Sequence, residues 1–305
     1  MSIVQDIRTA FSRRDNALVK IIWLNVLVFA AIVLLEAVVY LAQAPTVLQR
    51  VMSQLELSAN PGVLLRHPWT LLSYAFTHKG FFHILWNMLN FYWFGQLIQE
   101  YLSDRRLVSI YILGALAGAA VFLLSYNLIP ILQPYAAAGQ PVIGASAGVT
   151  AVIVAAATLL PDYTFMLLLI GPVRIKWIAA AVVLISLAGV NSGNTGGEIT
   201  HLGGALLGFL FIKQLQAGRD LGRPVQAVGN WFSNLTSNRP AMRVSSTNRR
   251  PEPVAASSSS SAKKPAAPGQ PLQDEIDNIL DKISRSGYES LSREEKQKLF
   301  RASQQ

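Results

Sequence analysis

The chain has 305 residues, 51% of them hydrophobic and 14% charged, with a net charge of +9 and no cysteine. The missing cysteine excludes a disulfide framework, thiolate chemistry and a sulfur-ligated metal. The apolar residues gather into long runs between short polar breaks, the composition of a polytopic membrane protein. The positive charge then reads first as a topology signal, and no nucleic-acid partner is needed to explain it.

Residues 1–20, MSIVQDIRTAFSRRDNALVK, are mixed polar and basic and lack the apolar core and small-residue cleavage site of a secretory signal. They are expected to be a cytoplasmic segment ahead of a retained first helix. A bilayer core about 30 Å thick takes roughly 20 apolar residues of helix, which predicts about six spans in all. They fall near 21–43, 83–100, 107–128, 146–160, 177–190 and 199–216. Arg8, Arg13, Arg14 and Lys20 precede the first span, and Arg105 and Arg106 lie between the second and third. Arg174 and Lys176 lie between the fourth and fifth; Lys213, Arg219 and Arg223 close the sixth. These positions alternate as the positive-inside rule requires if both termini are cytoplasmic, and they outnumber Arg50, Arg66 and Lys79 on the other side. The expected setting is the inner (plasma) membrane of a bacterial cell, with the protein embedded as a multi-pass bundle.

Two features break the regular pattern. Residues 44–80 are too long for an ordinary connector and too apolar for a solvated one, and read as a folded, amphipathic first external loop with short interfacial helices. The fourth span has only about 14 residues before Pro161, or about 21 Å of helix. With its inner end at the cytoplasmic surface, its outer end stops short of the other face and leaves Ser146 in a hollow.

A hydroxyl in that hollow is a weak nucleophile without a base. His201 supplies one: an intramembrane histidine marks a functional site by default, and the fourth and sixth spans both run inward from the same face. Small residues allow two helices to approach closely in lipid. Gly144 and Gly148 beside the serine, and Gly204 and Gly208 on the histidine's helix face, are expected to support that packing. His83 and Asn87, four residues apart at the start of the second span, share one face, with Asn90 a turn further on. They offer a ring N–H and an amide NH2 to a developing oxyanion, and the Ser146 backbone N–H offers a third donor. Two ligands from one helix with no nearby carboxylate make a poor zinc site, so no metal or other cofactor is expected. No aspartate lies near these span ends, and Glu198 is the acid nearest to His201 in sequence. The reading is therefore a serine–histidine dyad rather than a Ser-His-Asp triad.

The segments "HILWNMLNFYWFG", "GASAGV" and "GGEITHLGGALLG" resemble the three signatures of the rhomboid intramembrane serine proteases, in matching order over about residues 20–216. The resemblance implies an all-α polytopic membrane protein, a six-helix bundle with an amphipathic first loop and a short fourth helix. It implies a serine endopeptidase that cleaves membrane-spanning proteins near the outer face. Ser146 would be the nucleophile and His201 the base and later acid, with His83, Asn87 and the Ser146 N–H binding the oxyanion. This chain departs from the family at four places. Ala147 stands where glycine commonly follows the serine. Thr150 replaces an aromatic ring that stacks on the histidine, and its hydroxyl is a different way of holding that ring. Trp69 and Thr70 stand for a tryptophan–arginine pair, and Thr200 for an alanine. The family also contains inactive members that bind membrane proteins as adaptors, which is the alternative reading. A channel or transporter needs charge deep in its spans, and only Glu36 offers any.

Beyond about Gly218 the composition changes. Residues 217–271 read as a basic, then Ser/Pro/Ala-rich cytoplasmic linker, and the basic stretch from Arg239 to Arg250 suits anionic lipid. In residues 272–305, Leu272, Ile276, Ile279, Leu280 and Ile283 have helical spacing, Gly287 marks a stop, and Ser292 with Glu295 matches a capping box. A small helical cytoplasmic module is expected there, available to a cytoplasmic partner.

Overall fold

In the computed structural model of the protein, which describes residues 16–167, 170–191, 193–236 and 273–302, the first element is a 25-residue helix, α1 (Ala17–Leu41). Its buried face is a thin stripe of Leu18, Ile21, Asn25, Ile32 and Val39, while Leu34 is 68% and Leu41 79% exposed. Apolar side chains turned outward along a whole helix suit lipid, not water.

The loop that follows is folded. It contains α2 (Pro45–Ser53), the two-residue strand β1 (Leu57–Ser58), α3 (Pro61–Arg66) and α4 (Thr70–Ser73), then one 3-10 turn over Tyr74–Phe76. Each of the first two helices starts on proline, whose fixed φ and missing N–H suit a first turn. Asn60 caps α3 by accepting the Gly62 N–H at 2.8 Å. The Trp69 indole donates to the Gln54 carbonyl at 2.8 Å, so the loop closes on itself without the arginine of the resembling family.

Helix α5 (Phe81–Tyr101) and helix α6 (Asp104–Leu128) come next, followed by the short α7 (Gln133–Ala137) and strand β2 (Pro141–Val142). Tyr74 donates its hydroxyl to the Ala115 carbonyl and Tyr111 donates to that of Ala75, at 2.6 and 2.7 Å. These struts fasten the loop to α6. β2 pairs antiparallel with β1, which fastens the loop also to the chain entering α8 (Ser146–Leu159). Nearly every position of α8 from Ala147 to Ala157 is buried, as expected of a helix apolar all round at the centre of a bundle. A second antiparallel pair, β3 (Thr164–Leu167) with β4 (Gly171–Arg174), leads to α9 (Ile175–Gly189). Asp162 there is tied to Lys176 at 2.7 Å and Arg174 at 3.3 Å. The hydrogen bond from Lys176 holds its carboxyl below the usual range. Helix α10 (Thr195–Gln216) and the amphipathic α11 (Arg223–Thr236) complete the first unit.

Six helices lie where six spans were expected. Among the described residues α1 and α6 are long and apolar enough to cross a membrane, and α8 and α9 are shorter apolar helices. Contacts between helix ends define two levels. Asp104 accepts the Ala17 N–H at 2.8 Å and a hydrogen bond from Gln99 at 2.5 Å, and Arg106 pairs with Asp220 at 3.3 Å. The start of α1, the end of α5, the start of α6 and the segment after α10 therefore share one end. The starts of α5, α8 and α10 share the other.

Two expectations need correction. The fold is not purely helical, because short backbone ladders form where the first loop meets the chain before α8 and where the chain turns between α8 and α9. The expected linker from residue 217 also contains α11. Val225, Val228, Trp231 and Leu235 recur there every three or four residues, a helical period that the Ser/Pro-rich composition further on obscures.

The described residues divide into two units at about residue 240. The second consists of α12 (Gln273–Ser286), a 3-10 turn and α13 (Arg293–Ala302). α12 ends at Gly287, whose φ is +76°. Ser292 and Glu295 form the reciprocal capping box: the Ser292 N–H donates to the carboxylate at 2.7 Å and the Glu295 N–H to the hydroxyl at 3.3 Å. The N-terminal segment to residue 15, the linker over 237–272 with its Arg239–Arg250 stretch, and Leu272 lie outside the described residues.

Candidate active site

The starts of α5, α8 and α10 and the end of α9 surround one cavity of about 1370 Å³, lined among others by His83, Asn87, Ser146, Thr150, Ser186 and His201. The sequence motifs thus converge on a common hollow, although their segments are up to 118 residues apart by number.

Ser146 is the first residue of α8 and is held from before and behind. The Gly144 N–H donates to the Tyr74 carbonyl at 2.9 Å, and the Ala145 N–H donates to His78 Nε2 at 3.3 Å. The helical ladder starts only when the Val149 N–H reaches the Ala145 carbonyl at 2.9 Å. The N–H groups of residues 146–148 precede it and are the unspent donors of a helix start.

Gly144 is not where helix packing was expected. It lies ahead of α8 with φ +127°, and a Cβ there would stand 2.8 Å from His83 Nε2 and 3.4 Å from Ser146 Oγ. It leaves bare backbone where a side chain would crowd both the His83 imidazole and the Ser146 hydroxyl. Gly148 faces the Tyr111 carbonyl of α6, not α10. Gly204 and Gly208 do form the α8–α10 seam, against the Ala147 and Ala151 carbonyls.

Asn87 is 7% exposed and spends one amide hydrogen on the His83 carbonyl at 2.8 Å; the other remains for a ligand. Asn90 makes the equivalent bond to Trp86, also at 2.8 Å. The His83 ring is braced edge-on by His78, with ring centres 5.0 Å apart.

His201 is met in space by the acid nearest to it in sequence, Glu198, as well as by Ser186. Its Nδ1 lies 3.0 Å from Ser186 Oγ and 3.2 Å from Glu198 Oε2. Thr150 is buried in α8 and makes no hydrogen bond to His201; the ring is held from α9 and from one turn back on α10. Among the described residues no hydrogen bond joins Ser146 and His201, and none reaches Nε2. Reacting groups are often loosely aligned before substrate binds.

His78, Ser186 and the role of Glu198 were missed from sequence. Glu198 had a signal, because residues three apart share a helix face. Ser186 had none, since it reaches His201 from another helix. His78 sits five residues before His83, off its helical face. No group of three or more His, Cys, Asp or Glu side chains suited to a metal occurs among the described residues.

The rhomboid domain model matches residues 65–216, the stretch that contains every residue above. The matched region has similar counterparts in RHOMBOID-like protein 12, mitochondrial, of Arabidopsis thaliana, 27% identical over 49% of this chain and 47% of that protein. Rhomboid-like protein 16, chloroplastic, of the same plant is 29% identical over 49% and 50%. Rhomboid protein 1, mitochondrial, of Saccharomyces cerevisiae is 29% identical over 53% and 47%. The chain spans about half the length of these curated relatives. It belongs to the rhomboid family and is an integral, multi-pass membrane protein. Residues 271–305 match a separate family of unknown function, DUF6576.

Proposed function

We propose that the protein is an intramembrane serine endopeptidase that cuts membrane-spanning proteins near the outer face, with Ser146 as nucleophile and His201 as base. The observation that carries this reading is the convergence of Ser146, His201, His83 and Asn87 on one cavity at the end of the bundle opposite the Asp104 and Arg106 contacts.

Two serines compete for the role of nucleophile. Ser186 touches His201 directly, yet it is 3% exposed and lies inside α9, where neighbouring N–H groups belong to the helical ladder. An oxyanion formed there would find no donors. Ser146 stands at a helix start whose own N–H is unspent, beside the His83 ring and the second Asn87 hydrogen, so attack there builds negative charge where donors converge. The proton leaves Ser146 Oγ for His201 Nε2 and passes to the departing amine. Water then attacks the acyl-enzyme, giving up a proton to Nε2, which returns it to the Ser146 oxygen as the acid leaves.

Six helices cross the bilayer in this reading, with the first loop external and both termini on the cytoplasmic side. The membrane is the plasma membrane of a bacterial cell; the named relatives are mitochondrial and chloroplastic proteins. The chemistry needs no cofactor, and the C-terminal module is left for a cytoplasmic partner. Glu36, the charge a transporter would need inside, is on the exposed side of α1. A substrate helix must unwind to present its carbonyl, so Gly and Pro near the cut favour cleavage. Equal cleavage after their replacement by Leu removes that requirement.

The test is cleavage of a single-span reporter in liposomes by wild type, Ser146→Ala, Ser186→Ala and His201→Ala. Loss with Ser146→Ala and His201→Ala, and retained turnover with Ser186→Ala, supports the assignment. Turnover by Ser146→Ala overturns it, and no cleavage by folded wild type on several reporters favours the adaptor.

A further inference from the structure

Glu198 is a half-buried carboxylate that the Ser146–His201 reaction does not require in principle, and the structure aims it at the histidine. Its Oε2 is 3.2 Å from His201 Nδ1, and its side chain is 17% exposed. Space for it is made on a second helix: a Cβ at Gly189, the last residue of α9, would stand 3.0 Å from both Cγ and Cδ of Glu198. One turn earlier on α9, Ser186 reaches the same nitrogen at 3.0 Å. Two side chains from two helices thus converge on one edge of the imidazole, the edge away from Nε2.

We infer that Glu198, with Ser186, is the positioning group for His201, so that the protein works as a serine–histidine–glutamate arrangement. The inference rests on the reading of Ser146 as nucleophile. A carboxylate only accepts hydrogen bonds, so its place at Nδ1 puts the ring proton on that nitrogen and leaves the Nε2 lone pair for the Ser146 hydroxyl. When Ser146 Oγ attacks, its proton moves to Nε2 and the ring becomes cationic. The proton on Nδ1 stays there, and its bond to Glu198 becomes charge-assisted. No proton passes to the glutamate. Thr150 stands in this chain where the resembling family carries a ring against the histidine, and the restraint on His201 comes from α9 and α10. Sequence and geometry agree on that substitution of one restraint for another.

Glu198 also sits in the first turn of α10, where a carboxylate stabilises a helix through its dipole. The two roles differ in reach. Glu198→Asp keeps the charge at the helix start but shortens the arm, whereas Glu198→Gln keeps the arm and a hydrogen-bond acceptor but loses the charge.

The experiment measures kcat and KM on a reporter, the rate of Ser146 labelling by a fluorophosphonate, and the thermal midpoint, for wild type, Glu198→Gln, Glu198→Asp, Ser186→Ala, Ser146→Ala and His201→Ala in the full chain. For Glu198→Asp, kcat and labelling are expected to fall about tenfold to a hundredfold with KM within about twofold of wild type. Glu198→Gln, whose amide can donate to Nδ1 and favour the wrong tautomer, should fall at least as far as Glu198→Asp, and Ser186→Ala by a few-fold, all with midpoints near wild type. Wild-type kcat in Glu198→Asp, with Ser146→Ala and His201→Ala dead, overturns the positioning role alone. A Glu198→Asp or Glu198→Gln protein that loses its midpoint in step with its activity reduces the residue to a helix-stabilising one and overturns the inference as well. Cleavage by Ser146→Ala instead overturns the underlying assignment.

Discussion

The α-carbon of Gly204 rests against the carbonyl oxygen of Ala147, close enough that a Cβ would overlap it. Ala147 follows Ser146 directly, and Gly204 lies three residues after His201, so this seam sets the separation of the two reactive side chains. In lipid no hydrophobic drive pulls helices together, and close packing of small residues has to do it. Gly204→Ala forces a methyl group into backbone that cannot swing aside. It is expected to cost about 1–3 kcal/mol of stability and most of the activity, read as a lowered thermal midpoint and reporter cleavage. Gly229 on α11 has nothing within 4 Å of its would-be Cβ. Gly229→Ala should leave activity intact and stabilise by about 0.5–1 kcal/mol, which controls for glycine replacement as such.

Gly144→Ala makes a different prediction, because Gly144 lies against the site rather than between helices. Its φ of +127° strains an alanine, and the added methyl would press on His83 Nε2 at 2.8 Å. The expected result is loss of fluorophosphonate labelling at Ser146 with a thermal midpoint that drops less than in Gly204→Ala. Equal loss of both in the two variants would mean that Gly144 is a packing residue after all.

How far the site was legible depended on whether its parts were local in sequence. The helices were readable because apolar runs of 14 to 25 residues are bounded by Pro, Gly and charge. Ser146, His201, His83 and Asn87 were readable because polar groups are costly in an apolar run and stand out against it. Glu198 is half-readable: it is the acid nearest to His201 in sequence, and the spacing E-x-x-H puts the two on one helix face, but that spacing alone does not show that the carboxylate turns to the ring. Ser186 reaches His201 from α9, and no pattern within one helix encodes a contact between two. The β1–β2 pair escaped for the same reason, since Leu57 and Val142 meet only after the bundle has assembled.

Asn87 bears on the oxyanion. One of its amide hydrogens is committed to His83 O, so Asn87→Ala removes the free donor and also that local bond. Removing one oxyanion-hole donor costs about 10²–10³ in kcat. With the Ser146 N–H and His83 still in place, Asn87→Ala should lower kcat by about tenfold or more and leave KM close to wild type. Unchanged kcat would remove Asn87 from the site.

Chelation separates hydrolysis by a serine from hydrolysis by a metal. His83 and His201 both line the cavity, and a zinc ion shared by them would make activity depend on it. Cleavage by the full chain is expected to be unaffected by EDTA, measured after long incubation. Loss of activity that zinc restores would reassign both histidines as ligands.

The C-terminal unit offers a test that is independent of catalysis. Glu295 accepts the Lys282 ammonium at 2.9 Å and the Ser292 N–H at 2.7 Å. These bonds, Lys282 first, hold its carboxyl below the ordinary range. A carboxylate depressed on folding contributes stability that is present above the ordinary carboxyl range and is lost as pH falls through the depressed value. Amide protection across 293–296, corrected for intrinsic exchange, should therefore be flat from neutral pH down to the carboxylate range and decline below it. Ser292→Ala removes the other half of the cap and should lower the protection of the same amides by about fivefold at neutral pH, the effect of roughly 1 kcal/mol. Protection that ignores both changes would mean that α13 is held by packing on α12 and not by its cap.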